Sequence, residues 1–161
     1  MTQTLDLIIA ALAPLRAEII ARGRDAINTH IARLDADLAA AGGNLDAAAP
    51  RPNGRMGRLE YLAAQQRRRM MTMIANESGR AALLAEAIAA ITASFDAFAA
   101  KLAEKAGPIT AASICGASLW NGSTLTVTAA DGTRAAWRTR TILNVSCLGK
   151  VFNQYPTRRV A

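Results

Sequence analysis

Nine cations stand where this chain could bind an anion. Arg67, Arg68 and Arg69 are consecutive, Arg134, Arg138 and Arg140 punctuate a threonine-rich stretch, and Lys150, Arg158 and Arg159 follow toward the C-terminus. A guanidinium offers phosphate a planar fork of donors, and threonine adds a hydroxyl donor. Phe152 and Tyr155 supply rings on which a base can stack. These types predict contact with nucleic acid. The same residues also fit a solvated surface with local ion pairs, so both readings stay open.

Other chemistry is sparse. His30 is the single histidine, which leaves Ser-His-Asp catalysis with one candidate base and no motif around it. Cys115 and Cys147 have neither zinc-ligand nor disulfide-framework spacing, and their apolar or small neighbours predict buried, reduced thiols. There is no phosphate-cradling glycine loop and no dinucleotide fingerprint. The expectation is a non-enzymatic protein without metal or cofactor.

The net charge of +7 over 161 residues is unevenly spread. Residues 51–80 and 131–161 each carry +5, whereas residues 1–50 and 81–130 carry −2 and −1. Two basic islands again point to a polyanion. Hydrophobic residues make up 52% but aromatics only 4%, because much of the apolar content is alanine. Alanine favours helix and buries little area, so a thin helical assembly is expected, and excess seam residues predict a homo-oligomer.

The elements that carry these residues follow from periodicity. Leu5, Ile8, Leu12, Leu15 and Ile19 recur at helical spacing, then Ile27, Ile31, Leu34 and Leu38. The eight-residue gap between the two sets predicts a seam shift near Gly23. Pro14 predicts a kink or break, and Gly42-Gly43 a stop. Residues 42–55 read as an irregular linker. Residues 56 to 105 read as one long helix, or two nearly end to end with a break near Gly79. Its second half carries a seam of Leu84, Ile88, Ile91, Phe95, Phe98 and Leu102.

Packed antiparallel, the two arms would place facing residues at numbers summing to roughly 96. Arg67–Arg69 would then lie near Asp25 and Asp35. Three consecutive helical residues span about 200°, so one or two of these arginines must face solvent. Met70, Met71 and Met73 read as core filling.

After Gly107-Pro108 the period becomes two. Asn121-Gly122 predicts a two-residue hairpin between strands near 112–120 and 123–129. For Asp131-Gly132, a type I turn with Gly132 as the bulge residue sets Leu125 opposite Trp137 and Val127 opposite Ala135. That register gathers the apolar side chains and leaves Thr124, Thr126, Thr128, Arg134, Arg138 and Arg140 on the other face. A last strand is expected at 151–155, and Trp120 is expected to cap the sheet.

The predicted fold is therefore α+β. Residues 1–106 form a long antiparallel, coiled-coil-like helical hairpin, and residues 107–161 a small antiparallel sheet of three to four strands with a basic tail. The apolar patch Leu7–Leu12 lacks a basic flank, and no run approaches membrane-spanning length, so a cytoplasmic protein without membrane contact is expected. The alternative to nucleic acid is a protein partner docked on the helical seam. The small, basic, alanine-rich build resembles accessory proteins of phages and mobile elements. That resemblance implies an inhibitor, adaptor or structural subunit, but no motif carries it and it names no family.

Overall fold

The structure is a computed structural model that describes residues 2–116 and 122–139. Four helices precede a three-stranded sheet: α1 Thr2–Ala40, α2 Leu45–Ala48, α3 Arg58–Met73, α4 Glu77–Ala106, β1 Ala111–Cys115, β2 Thr124–Thr128 and β3 Arg134–Arg138. The described residues are mostly helical, with a small three-stranded antiparallel sheet, which makes the fold α+β.

α1 runs unbroken through Pro14. Of the kink or break expected there, the break is absent, because losing one internal hydrogen bond is outweighed by the packed face around it. Ile8, Leu12, Leu15 and Ile19 are fully buried, as is Ile27, while Ile31 and Leu34 are nearly so. Gly23 fills the eight-residue gap and is itself buried, because Ile91 of α4 packs onto its bare Cα. The helix closes at Gly42 and Gly43, whose amides bond the carbonyls of Ala39 and Leu38 at 3.0 and 2.9 Å. This is a Schellman closure.

The linker is less irregular than its glycines and prolines suggest. Asn44 caps one turn of helix, α2, by accepting from the amides of Asp46 and Ala47 at 3.0 and 3.2 Å.

The expected long second helix is two helices, and they do not lie end to end. α3 stops at Met73, Asn76 caps α4 by accepting the Gly79 amide at 2.8 Å, and Arg69 reaches back to Glu86. The return arm is therefore α4 alone. Thr4 meets Gly107, Gly23 meets Ile91 and Asp35 meets Arg80, so α1 and α4 run in opposite senses with facing numbers near 111 to 115 rather than 96. The α4 core is Leu83, Ala87, Ile91, Phe95, Phe98 and Leu102. Leu84 and Ile88, expected in the seam, are only half-buried. The first half of α4 packs against α3 as well as α1, and this turns Leu83 and Ala87 inward.

α4 also overturns the expectation about apolar runs. It is 30 residues long, and by length and composition it is apolar enough to cross a membrane. Alanine supplies much of that apolar character, and Leu83, Ile91, Phe95, Phe98 and Leu102 are buried in the core shared with α1, whereas Leu84 and Ile88 are half-buried.

The sheet has the order β1-β2-β3, all antiparallel. Leu125 pairs with Trp137 and Val127 with Ala135, the register the bulged turn predicts. Gly132 takes φ +83°, its amide bonds the Ala129 carbonyl at 3.0 Å, and the Ala129 amide bonds the Thr133 carbonyl at 2.9 Å. The other connection differs from expectation. A two-residue Asn121-Gly122 turn would pair Cys115 with Thr128, but Cys115 pairs with Thr124 and Ala111 with Thr128. The observed register sets Ile114 and Ala112 against Leu125 and Val127, so apolar pairing outweighs the turn signal. Gly116, Gly122 and Ser123 are the described residues between the two strands. Beyond β3, Thr139 is buried and its hydroxyl bonds that of Ser123, which extends the β2–β3 ribbon by one pair.

One hydroxyl ties the sheet to the helices. Thr4 Oγ1 donates to the Gly107 carbonyl at 3.2 Å and accepts the Ile109 amide at 3.4 Å. The expected strand at 151–155, the capping role of Trp120, Cys147 and the aromatic residues Phe152 and Tyr155 lie outside the described residues.

Candidate nucleic-acid interface

Among the described residues, Arg134 and Arg138 sit at the opposite end of the helical pair from Arg67, Arg68 and Arg69. Glu86, which Arg69 holds, and Lys105, beside the sheet, are nineteen residues apart on α4, or about 29 Å at 1.5 Å per residue. No single small ligand bridges them.

At the α3 end every member of the triple arginine has an intramolecular partner. Arg67 Nη2 lies 2.8 Å from Asp37 Oδ2, and its Nε donates to the Ala48 carbonyl at 3.0 Å. Arg68 Nη1 donates to Asp46 Oδ1 at 2.7 Å and to the Ala49 carbonyl at 2.9 Å. Arg69 grips Glu86 with both terminal nitrogens, at 3.2 and 2.7 Å. The three point around the α3 circumference as their spacing requires, but each direction meets an acid. α2 and the linker cover Arg67 and Arg68, whereas Arg69 stays exposed to solvent beside Glu86, as the spacing requires of at least one of the three. Asp37, Asp46 and Glu86 replace the expected Asp25 and Asp35. Arg51 of the linker, Arg68 and Arg69 still share a shallow groove of about 550 Å³ with Pro52 and Met73. Arg51 is missed by a search for consecutive cations. Met70 and Met71 are buried, consistent with core filling, and Met73 is half-buried.

Two of the ion pairs shift a titratable group. The Arg69 hydrogen bond holds the Glu86 carboxyl below the ordinary glutamate range. Arg80, held chiefly by its hydrogen bonds to Asp35, is pushed further above the arginine range. Asp131 in the bulged turn is lowered by the Thr133 amide and hydroxyl.

The sheet end is built differently. The polar face has three rows: Cys115, Thr124 and Arg138; Ser113, Thr126 and Ala136; Ala111, Thr128 and Arg134. Arg134, Ala136 and Arg138 are exposed, and the three threonines are half-buried between the flanking strands. Neither Arg134 nor Arg138 has a carboxylate partner among the described residues. Cys115 is exposed here as a free thiol, not buried as its neighbours suggested, because odd positions of β1 face away from the core. The opposite face packs on the helices, and there the Lys105 ammonium lies 5.9 Å from the Trp137 ring centroid. Lys105 was legible only as a cation in the last turn of a helix.

Of the predicted site residues, the structure thus brings Arg134 and Arg138 together with the threonines and places Arg67, Arg68 and Arg69 elsewhere. Arg140, Lys150, Arg158 and Arg159 lie outside the described residues. Among the described residues no group of three or more His, Cys, Asp or Glu side chains could hold a metal ion, and His30 is buried on the inner side of α1. A further surface escaped the sequence reading: Leu59 is 83% exposed, and Leu62 and Tyr61 beside it are also open to solvent.

No family model, curated protein or solved structure matches the chain.

Proposed function

We propose that the chain is a non-enzymatic nucleic-acid-binding protein that uses the polar face of its sheet as the contact surface. One observation carries this. Arg134 and Arg138 stand among threonine hydroxyls with no carboxylate partner among the described residues, whereas the α3 arginines are each paired. Guanidiniums without a carboxylate partner among the described residues, held on a strand scaffold, are donors for phosphate. Arg140, Lys150, Arg158 and Arg159 add charge further along the chain. The helical part, a long antiparallel hairpin with a coiled-coil-like seam, acts as the arm that carries the sheet.

The test is a salt titration of binding to mixed single- and double-stranded DNA and RNA. Phosphate binding weakens steeply as salt rises, with a slope near −0.9 per contact on duplex DNA. Reversing both charges, Arg134→Glu with Arg138→Glu, should abolish binding while α3 variants leave it intact. No binding at about 50 mM salt, where such contacts are strongest, sinks the proposal.

A second reading has its own observation. Leu59 and Leu62 are one helical turn apart and exposed at the start of α3, with Tyr61 beside them, a surface suited to a protein partner. A complex made there should be nearly indifferent to salt and should be lost in Leu59→Asp with Leu62→Asp, with nucleic-acid binding untouched.

A further inference from the structure

Resting on the nucleic-acid reading above, we infer that the sheet face takes the major groove of duplex DNA, with the β2–β3 ribbon lying along the groove. Three features of the face select this partner.

The first is that the described face of the three strands is built of small and cationic side chains. Single strands are held by stacking bases on aromatic side chains. Among the described residues the polar face has none: its members are Ala111, Ser113, Cys115, three threonines, Ala136 and two arginines. The ring nearest in sequence, Trp137, is half-buried on the opposite face under Lys105.

The second is shape. The B-DNA major groove is about 12 Å wide and admits a two-stranded ribbon. Adjacent strands lie about 4.8 Å apart, so β2 and β3 fit within it. The third strand does not block entry, because β1 shows only Ala111, Ser113 and Cys115 on this face. At the centre of the ribbon Ala136 pairs with Thr126, so nothing bulky stands between the arginines.

The third is spacing. Arg134 and Arg138 are four residues apart on one strand, about 13 Å. At 3.4 Å per base along one strand this covers about four base-pair steps. Each arginine can then fork onto a phosphate or a guanine edge, while Thr126 and Ala136 meet base edges between them. The A-form major groove of duplex RNA is too deep and narrow for the same entry.

The experiment uses the full chain and three probes of matched sequence: duplex DNA, single-stranded DNA and duplex RNA, read by fluorescence anisotropy across a salt series. Duplex DNA should bind at least about tenfold more tightly than either of the others. Arg138→Ala should lower its salt slope by about 1. Ala136→Tyr places a large side chain at an exposed position in the middle of the ribbon. It should abolish duplex binding without changing the circular dichroism spectrum, and it should not weaken single-strand binding, because it adds a stacking ring. Equal or tighter binding of single-stranded DNA or duplex RNA overturns the groove assignment and leaves the nucleic-acid reading standing. So does an Ala136→Tyr protein that binds duplex DNA normally. Failure of all three probes to bind removes both.

Discussion

Arg80 of α4 grips Asp35 of α1 through both carboxylate oxygens, at 2.9 and 2.6 Å, while its Nε donates to the Ile74 carbonyl at 2.9 Å. One side chain thereby joins the end of α3, the start of α4 and the far end of α1. Ile74 is the residue that caps the C-terminal end of α3, where the helix offers its carbonyl no amide.

Arg80→Ala should destabilise the protein by about 1 kcal/mol. The side chains of Arg80 and Asp35 are 39% and 40% exposed, so water screens the pair, and the loss stays below that of a buried network. Arg80→Lys keeps the charge but loses the fork, and should recover only part of the loss. Urea unfolding measures both, and equal stability of wild type and Arg80→Ala would show that the junction is held by packing alone.

Gly79→Ala runs against helix propensity. Alanine is the better helix former by about 1 kcal/mol. Here its Cβ would collide with the backbone carbonyl of Met73, which cannot rotate away. The expected result is a loss of about 2 kcal/mol or more, within the overpacking range. A stabilised Gly79→Ala protein would mean that the α3–α4 turn opens without penalty.

Gly23→Ala meets a softer neighbour. The Cβ would collide with Ile91 Cδ1, the far end of a side chain that is itself nearly fully buried. The single variant should lose about 1 to 3 kcal/mol. Ile91→Val removes the colliding methyl, so the double variant should be more stable than the sum of the two single effects predicts. A double-mutant cycle reads that coupling, and additivity would mean that α1 and α4 do not approach closely at Gly23.

The Arg69–Glu86 pair should leave a trace in pH. Its hydrogen bond holds the folded-state Glu86 carboxyl below the ordinary value. A lowered folded pKa gives stability that is present in full above the unfolded value, about pH 4.3, and is lost as pH falls through the folded value. The advantage of wild type over Arg69→Gln should therefore be constant near neutrality and shrink below about pH 4. Both side chains are nearly half exposed, so the difference is expected to be a few tenths of a kcal/mol. Denaturant midpoints at a series of pH values measure it.

Much of this fold could be read along the chain because local rules and packing agreed there. The inward residues of α1 follow a period that survives Pro14, and the register of β2 and β3 follows from the bulged turn at Gly132 and two apolar pairs. Where two local signals disagreed, only assembly chose between them. Asn121-Gly122 asked for a tight turn, yet the pairing of Ile114 with Leu125 set the register of β1.

The arginines divide along the same line. Composition and spacing locate both cationic islands and assign Arg134 and Arg138 to one face, because a strand alternates its side chains with period two. Whether a cation is spent on an acid is a different matter. Arg67, Arg68 and Arg69 meet Asp37, Asp46 and Glu86 at separations of 30, 22 and 17 residues. Those meetings depend on the capped turn at Asn44 and on the turn between α3 and α4, which Gly79 makes sterically possible. Charge is a property of each residue and is visible in its letter. Pairing depends on which backbone segments lie side by side, and that is settled only when the helices pack.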